Sequence, residues 1–347
     1  MGRVRVLDPR CCPAWDEFVA RQPEATVFHS GPWAQALTTA YGFQPRYYVL
    51  ETGSGEMVAA LPLMLVRSLL TGHRLVGLPF SDLCPPLAAG PAALAPLAAA
   101  VAEDVRRQGV GHVELRGGHP HWLGPLGFAT AGHPFVRHVL ELPATAGELE
   151  RLVHPSARRG VRKALRLGVR VRRAGAEALP LFYRIYQETR QRQHLAPAPY
   201  RFFAAIGQHL LERGLGCLLL AEVEGQAVAC NLLLWWRDWM VYKANVSLPQ
   251  WLEARPNNLL LWHSLGLAQE MGLRRLDLGR SDAAQAGLRR FKSLWGAVEA
   301  PLPYFYYPAP AAAGRRRALG GALRLLARAS PRWGSRALGS LLYRHLA

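Results

Sequence analysis

The sequence predicts an α/β protein in which one plan, a mixed central sheet with helices, is used twice along the chain. Two apolar hairpins at corresponding places in the two halves point to this, as do the helix and short strand that follow each of them. A chain of 347 residues with 50% hydrophobic content supplies two packed cores of ordinary size.

In the first half, β-rich apolar runs at 47–50 and 57–66 flank the turn Gly53-Ser54-Gly55-Glu56, and a helix over 92–108 leads to the strand His112-Val113-Glu114-Leu115-Arg116. In the second, runs at 217–223 and 227–236 flank Glu224-Gly225-Gln226, and a helix over 257–271 leads to Arg275-Leu276-Asp277-Leu278-Gly279-Arg280. Gly109 and Gly272 suit the left-handed residue that ends a helix. Between the halves, 156–167 spaces Val161, Ala164 and Leu165 helically among basic residues, and 169–171 reads as a strand. Helices over 181–188 and 200–212 are separated by Ala196-Pro197-Ala198-Pro199, a loop because proline disfavours helical backbone in the residue before it. A strand at 239–246, a loop at 247–256 and the helix from Asn257 give the order in which free amides at a helix start bind an anion. Arg106-Arg107-Gln108-Gly109-Val110-Gly111 has the letters of a phosphate loop, but it follows a helix and precedes a strand, so it reads as a helix end and turn.

The net charge of +18 is concentrated: 151–173 carries nine Arg or Lys and 308–347 carries eight, with no Asp or Glu in either. Two basic surfaces of this kind attract the phosphates of a nucleotide, an RNA or a lipid headgroup. Only Lys163, Lys243 and Lys292 occur against 39 Arg, which singles out each lysine as a place where a compact, titratable amine is used. In the tail, Arg315-Arg316-Arg317 precedes leucines 319, 323, 325 and 326; such a stretch either lies on an anionic membrane or simply solubilises the chain. The five cysteines form no CxxC, and His119-Pro120-His121 lacks a third ligand, so neither a disulfide framework nor a metal is expected. No nucleophile elbow, Walker loop or nucleic-acid-binding signature is present, which excludes the commonest hydrolases, nucleotide hydrolases and sequence-specific nucleic-acid binders. Without a signal-peptide core or an apolar run of roughly 20 residues, the chain is expected in the cytoplasm, at the inner face of the membrane on the first of the two readings of the tail.

Ser156-Ala157-Arg158-Arg159-Gly160-Val161-Arg162-Lys163-Ala164 resembles the basic helix of FemAB-like transferases of the GNAT superfamily. Leu276-Asp277-Leu278-Gly279-Arg280-Ser281, followed by Gly287-Leu288-Arg289-Arg290-Phe291-Lys292-Ser293-Leu294-Trp295-Gly296, resembles their C-terminal signature. The likeness runs from about Phe28 to Tyr307, in the first half mainly by pattern, including Leu61-Pro62-Leu63 and Leu78-Pro79-Phe80-Ser81-Asp82. It implies tandem duplicated GNAT-like (acyl-CoA N-acyltransferase) domains: a first domain at 1–150, a basic connecting helix and strand at 151–180, a second domain at 181–307 and a tail at 308–347. It further implies transfer of an acyl or aminoacyl group to an amine or hydroxyl, without metal or bound cofactor, in cell-envelope or exopolysaccharide biosynthesis. Acyl-CoA is the expected co-substrate and aminoacyl-tRNA the alternative donor, with a small-molecule or lipid-linked acceptor. The double glycine of an ordinary coenzyme A loop is missing from Glu253-Ala254-Arg255-Pro256-Asn257-Asn258, which keeps open a noncatalytic binding protein at the membrane.

Such a transfer needs an acceptor relieved of its proton and hydrogen-bond donors facing the developing oxyanion. Asp277, leaving a strand, is the expected base or acceptor-orienting group, or else the partner of Arg280 or Arg289 in a structural ion pair. Lys243 and Lys292 are expected to stabilise charge or to bind a phosphate. Arg255, Asn257 and Asn258, with Arg280 and Ser281 of the signature, are expected at the donor, and Arg158, Arg162, Lys163, Phe80 and Asp82 at the acceptor.

Overall fold

The computed structural model describes residues 2–130, 135–308 and 342–346. They form two compact units: the first holds 2–130, 302–308 and 342–346, and the second holds 135–301. Of the basic amphipathic tail expected at 308–347, residues 309–341 and 347 lie outside the described residues.

The first unit contains β1 (Arg3–Leu7), α1 (Pro13–Arg21), α2 (Gly31–Tyr41), β2 (Gln44–Glu51), β3 (Met57–Ser68), β4 (Gly72–Val76), β5 (Leu87–Ala88), α3 (Pro91–Gln108), β6 (His112–Arg116), α4 (Pro120–Leu123) and β7 (Ala129–Thr130). The second contains β8 (Phe135–Glu141), α5 (Ala146–Leu152), α6 (Pro155–Arg166), β9 (Arg170–Ala174), α7 (Leu179–Arg192), α8 (Tyr200–Ile206), β10 (Gly216–Val223), β11 (Gln226–Trp236), β12 (Trp239–Ser247), α9 (Pro256–Glu270), β13 (Arg275–Asp282), α10 (Ala286–Ser293) and β14 (Val298–Pro301). A last strand, β15 (Tyr304–Tyr307), returns to the first unit.

The first sheet runs β1-β2-β3-β4-β6-β15-β7, with β5 on β3, and is parallel at β4 and β6. One face packs on α3 through Leu94, Leu97 and Val101 against Leu63, Leu75, Val113 and Leu115. The second sheet runs β14-β8-β13-β12-β11-β10-β9, parallel only at β12 and β13. Its strands β10 and β11 read as nearly continuous apolar runs because both faces are covered: Cys217, Leu219 and Leu233 join a core with α6 and α9, while α7 packs on β11 and β12. The turn between them is two residues long with Glu224 at φ +50° and Gly225 at φ +77°, the backbone that matches the twist of a tight hairpin.

The border expected at residue 150 falls between 134 and 135. Residues 135–141 pair with both β13 and β14 and so belong to the second sheet. Likewise 304–307 belong to the first sheet through β6 and β7, not to a second domain ending at 307. The Gly109 turn does end α3, at φ +61°.

Candidate active site

In the second unit β12 and β13 pair at three positions only, Trp239↔Arg275, Met240↔Leu276 and Val241↔Asp277, yet β12 continues to Ser247 and β13 to Asp282. The strands part after Val241 and Asp277. A bulge sits on each: Tyr242 pairs with Leu233 and Ala244 with Leu232, leaving Lys243 as the inserted residue, and the register of β13 on β8 shifts between Asp277 and Arg280. An inserted residue bends its strand and raises its local twist, which suits the parting. The result is a wedge whose β12 wall, from Tyr242 onward, has no ladder to β13.

Asp277 of β13 and Lys292 of α10, the next helix, meet at the β13 bulge. The Asp277 Oδ1 accepts a hydrogen bond from the Gly279 amide at 2.7 Å, and the Lys292 Nζ donates to the carbonyls of Gly279 at 2.7 Å and Arg280 at 3.3 Å. Both side chains are buried. Gly279, at φ +72°, adopts the left-handed backbone the bulge requires. Arg289 pairs instead with Glu299, through bonds of 2.8 and 2.7 Å. Arg280 is exposed and lies over the Phe135 ring at 4.4 Å, while Ser281 is buried opposite Val136.

His138 was not legible in the sequence because no motif marks it. Opposite Glu299 on the paired strand, its Nε2 lies 3.1 Å from Glu299 Oε2. Burial, and then the nearby Lys292 cation, lower its pKa, so the ring is neutral at neutral pH.

On the β12 side a chain of polar side chains crosses the core. Asn245 Nδ2 donates to Asn231 Oδ1 at 2.8 Å and to Asn257 Oδ1 at 3.1 Å; Asn231 Nδ2 donates to Ser264 Oγ at 3.1 Å, and Asn257 Nδ2 to Ser247 Oγ at 3.4 Å. The Tyr242 hydroxyl bonds with Asn231 and Asn245, and burial raises its pKa. A buried amide must find partners or cost stability, and these residues satisfy one another. Thr189 and Arg192 of α7 bond the main chain of Ser247, fixing the end of β12.

The start of α9 differs from the open cradle that its strand, loop, helix order suggested. Pro256 has no amide, and the amides of Asn258 and Leu259 both donate to the Arg255 carbonyl, at 3.1 and 3.4 Å. Arg255, exposed and at φ +59°, donates its own amide to Leu252. Asn258 meets α6, since a Cβ at Gly160 would lie 2.7 Å from Asn258 Nδ2. Arg158, Arg162 and Lys163 sit on that helix, with Arg158 3.4 Å from Glu150. The structure thus groups Asp277, Lys292, Arg280 and Ser281 at one bulge, places Lys243 at the other, and sets Asn257 and Asn258 at the α9 start. Phe80 and Asp82 belong to the first unit: Phe80, at φ +62°, stacks with Tyr343 at 5.1 Å, and the Asp82 carbonyl accepts from the Tyr304 hydroxyl at 3.0 Å.

Residues 151–293 match the family described as Acetyltransferase (GNAT) domain. No match is found among curated proteins. Among solved structures, FemX aligns over 88% of this chain and 97% of its own with a TM-score of 0.73 at 16% identity. L-PGS from Bacillus licheniformis aligns over 93% and 98% (TM-score 0.55, 11% identity), and a tandem GNAT protein from the clavulanic acid biosynthesis pathway over 90% and 100% (0.52, 13%).

Proposed function

We propose that the protein is an acyltransferase that moves an acyl group from acyl-CoA to an amine or hydroxyl; the match of residues 151–293 to a GNAT domain and the fold shared with FemX and with a tandem GNAT protein support this. The observation that carries this is the wedge between β12 and β13. Its unladdered β12 wall offers main-chain donors and acceptors to an extended donor arm, in the manner of an added strand. The acceptor nitrogen or oxygen attacks the donor carbonyl, the new C–N or C–O bond forms, the C–S bond breaks, and the acceptor proton leaves with the thiolate. Lys243 at the β12 bulge is proposed to offset developing negative charge. Asp277 and Lys292 act by holding the β13 bulge that forms the opposite wall. Arg158, Arg162 and Lys163 are proposed for acceptor phosphates.

A second reading, transfer from aminoacyl-tRNA, is favoured by one observation: at the α9 start the Asn258 and Leu259 amides are satisfied within the chain, so they offer no cradle to a coenzyme A diphosphate. Calorimetric titration with acetyl-CoA, a longer acyl-CoA and a charged tRNA, at one fixed salt concentration, separates the two donors. Saturable acyl-CoA binding supports the first reading and tRNA binding alone the second. Binding of neither removes both and leaves a noncatalytic binding protein.

A further inference from the structure

We infer that the outward face of α6 and the start of β9 form a docking surface for an anionic lipid membrane. Arg159, Arg162 and Arg166 are exposed along one stripe of α6, spaced i, i+3, i+7, and Arg170 at the start of β9 is exposed as well. Among the described residues, no carboxylate pairs with any of the four: Glu150 is engaged by Arg158 and Glu222 by Arg172. The opposite side of the helix is fixed in the core through Ala157, Val161 and Ala164, so the arginines keep their outward orientation.

The charges alone would suit any polyphosphate. What selects lipid is the presence of Leu165 and Leu167 at the same helix end, 56% and 50% exposed. A phosphate backbone has no use for exposed leucines, whereas a headgroup layer accepts the arginines and the acyl boundary beneath it accepts the apolar groups. No described helix is long and apolar enough to cross a membrane, so the contact is peripheral. Because Gly160 packs on Asn258, the stripe lies one helix thickness, about 10 Å, from the first turn of α9. A bound membrane would therefore present lipid-linked acceptors near the wedge. The docking itself stands whatever group the chain transfers.

The test uses the full chain in flotation with vesicles of phosphatidylcholine alone or mixed with phosphatidylglycerol, beside a short RNA duplex titrated at the same salt concentration. Wild type is expected to float only with the mixed vesicles. Reversing three charges (Arg159→Glu, Arg162→Glu, Arg166→Glu) should weaken vesicle binding by about 100-fold, near fivefold for each cation removed. The exposed pair Leu165→Ser with Leu167→Ser should weaken it about tenfold and leave RNA binding unchanged. Circular dichroism melts matching wild type show that these surface variants fold. Vesicle binding that survives both sets of substitutions overturns the inference and assigns the lipid contact elsewhere on the chain. RNA binding without vesicle binding overturns it in favour of a nucleic-acid surface.

Discussion

Among the described residues each unit contains one parallel strand pair, and the two pairs end differently. In the first, β4 pairs with β6 over Arg74↔His112, Leu75↔Val113 and Val76↔Glu114, and the chain then stays against β6: the Gly77 amide donates to Glu114 at 2.7 Å and the Cys84 amide to Arg116 at 2.7 Å. A Cβ at Gly77 would lie 3.2 Å from the Glu114 carbonyl, so the close approach depends on glycine. The buried Arg116 seals the same place, donating to Glu114 at 2.9 Å and to the Ser81 carbonyl at 2.8 Å. In the second unit nothing comparable follows β12; the loop turns away into α9 and the wedge stays open. Two uses of one plan thus give a sealed pair that supports a scaffold and an open pair suited to chemistry.

The largest effect expected on this comparison comes from unsealing the first pair. Glu114→Ala strands the buried Arg116 and should cost about 3–5 kcal/mol of first-unit stability, read by hydrogen exchange of β3 and β6 amides. Turnover per folded molecule should be unchanged; its loss at normal stability would move chemistry into the sealed pair. Acid should act next, again on the first unit. His29 is fully buried, its Nδ1 accepting from the Thr26 amide at 3.1 Å and its Nε2 donating to the Pro85 carbonyl at 3.0 Å, and burial lowers its pKa to about 4. The unfolded ring takes up a proton near pH 6.5 and the folded ring does not, so stability is full above that pH and falls as pH drops toward 4, by about 3 kcal/mol in all. A His29→Gln protein should lose this slope in urea melts between those pH values; an identical slope would assign it to other groups.

In the open pair, Lys292→Ala removes the bonds that hold the Gly279 bulge and should lower kcat by about 100-fold, with Asp277→Asn smaller but in the same direction. Full activity in both variants would remove the bulge from the mechanism. The smallest effect is expected from Asn257→Ala, which leaves Asn245 and Ser247 each short of a partner and should cost about 1–2 kcal/mol, measured by chemical unfolding of the second unit. A cost near zero would mean that water replaces the amide.

The hairpins and the helix ends at Gly109 and Gly272 could be read from the chain because they rest on neighbours a few residues apart. The pairing of Phe135–Glu141 with Val298–Pro301 could not, since it joins segments some 160 residues apart and neither segment carries a local signal for it. The same holds for the site. Asp277 and Lys292 stood out by residue type, and the fold brings them to one glycine. His138 and Glu299 form their pair through strand register alone. The α9 start was legible as strand, loop and helix, but not the turn in which its amides bond the chain itself, because Arg255 takes a left-handed backbone that residue type does not announce.

The return of β15 to the first sheet has a consequence for synthesis. Among the described residues, β6 is completed on one edge only by Tyr304–Tyr307, and β7 joins the sheet only through that strand. A ribosome must therefore deliver the whole second unit before the first can close. Until then the nascent first half carries an unpaired edge at β6 that can template pairing with other chains, and it is the newly made protein, more than the finished one, that depends on chaperone cover.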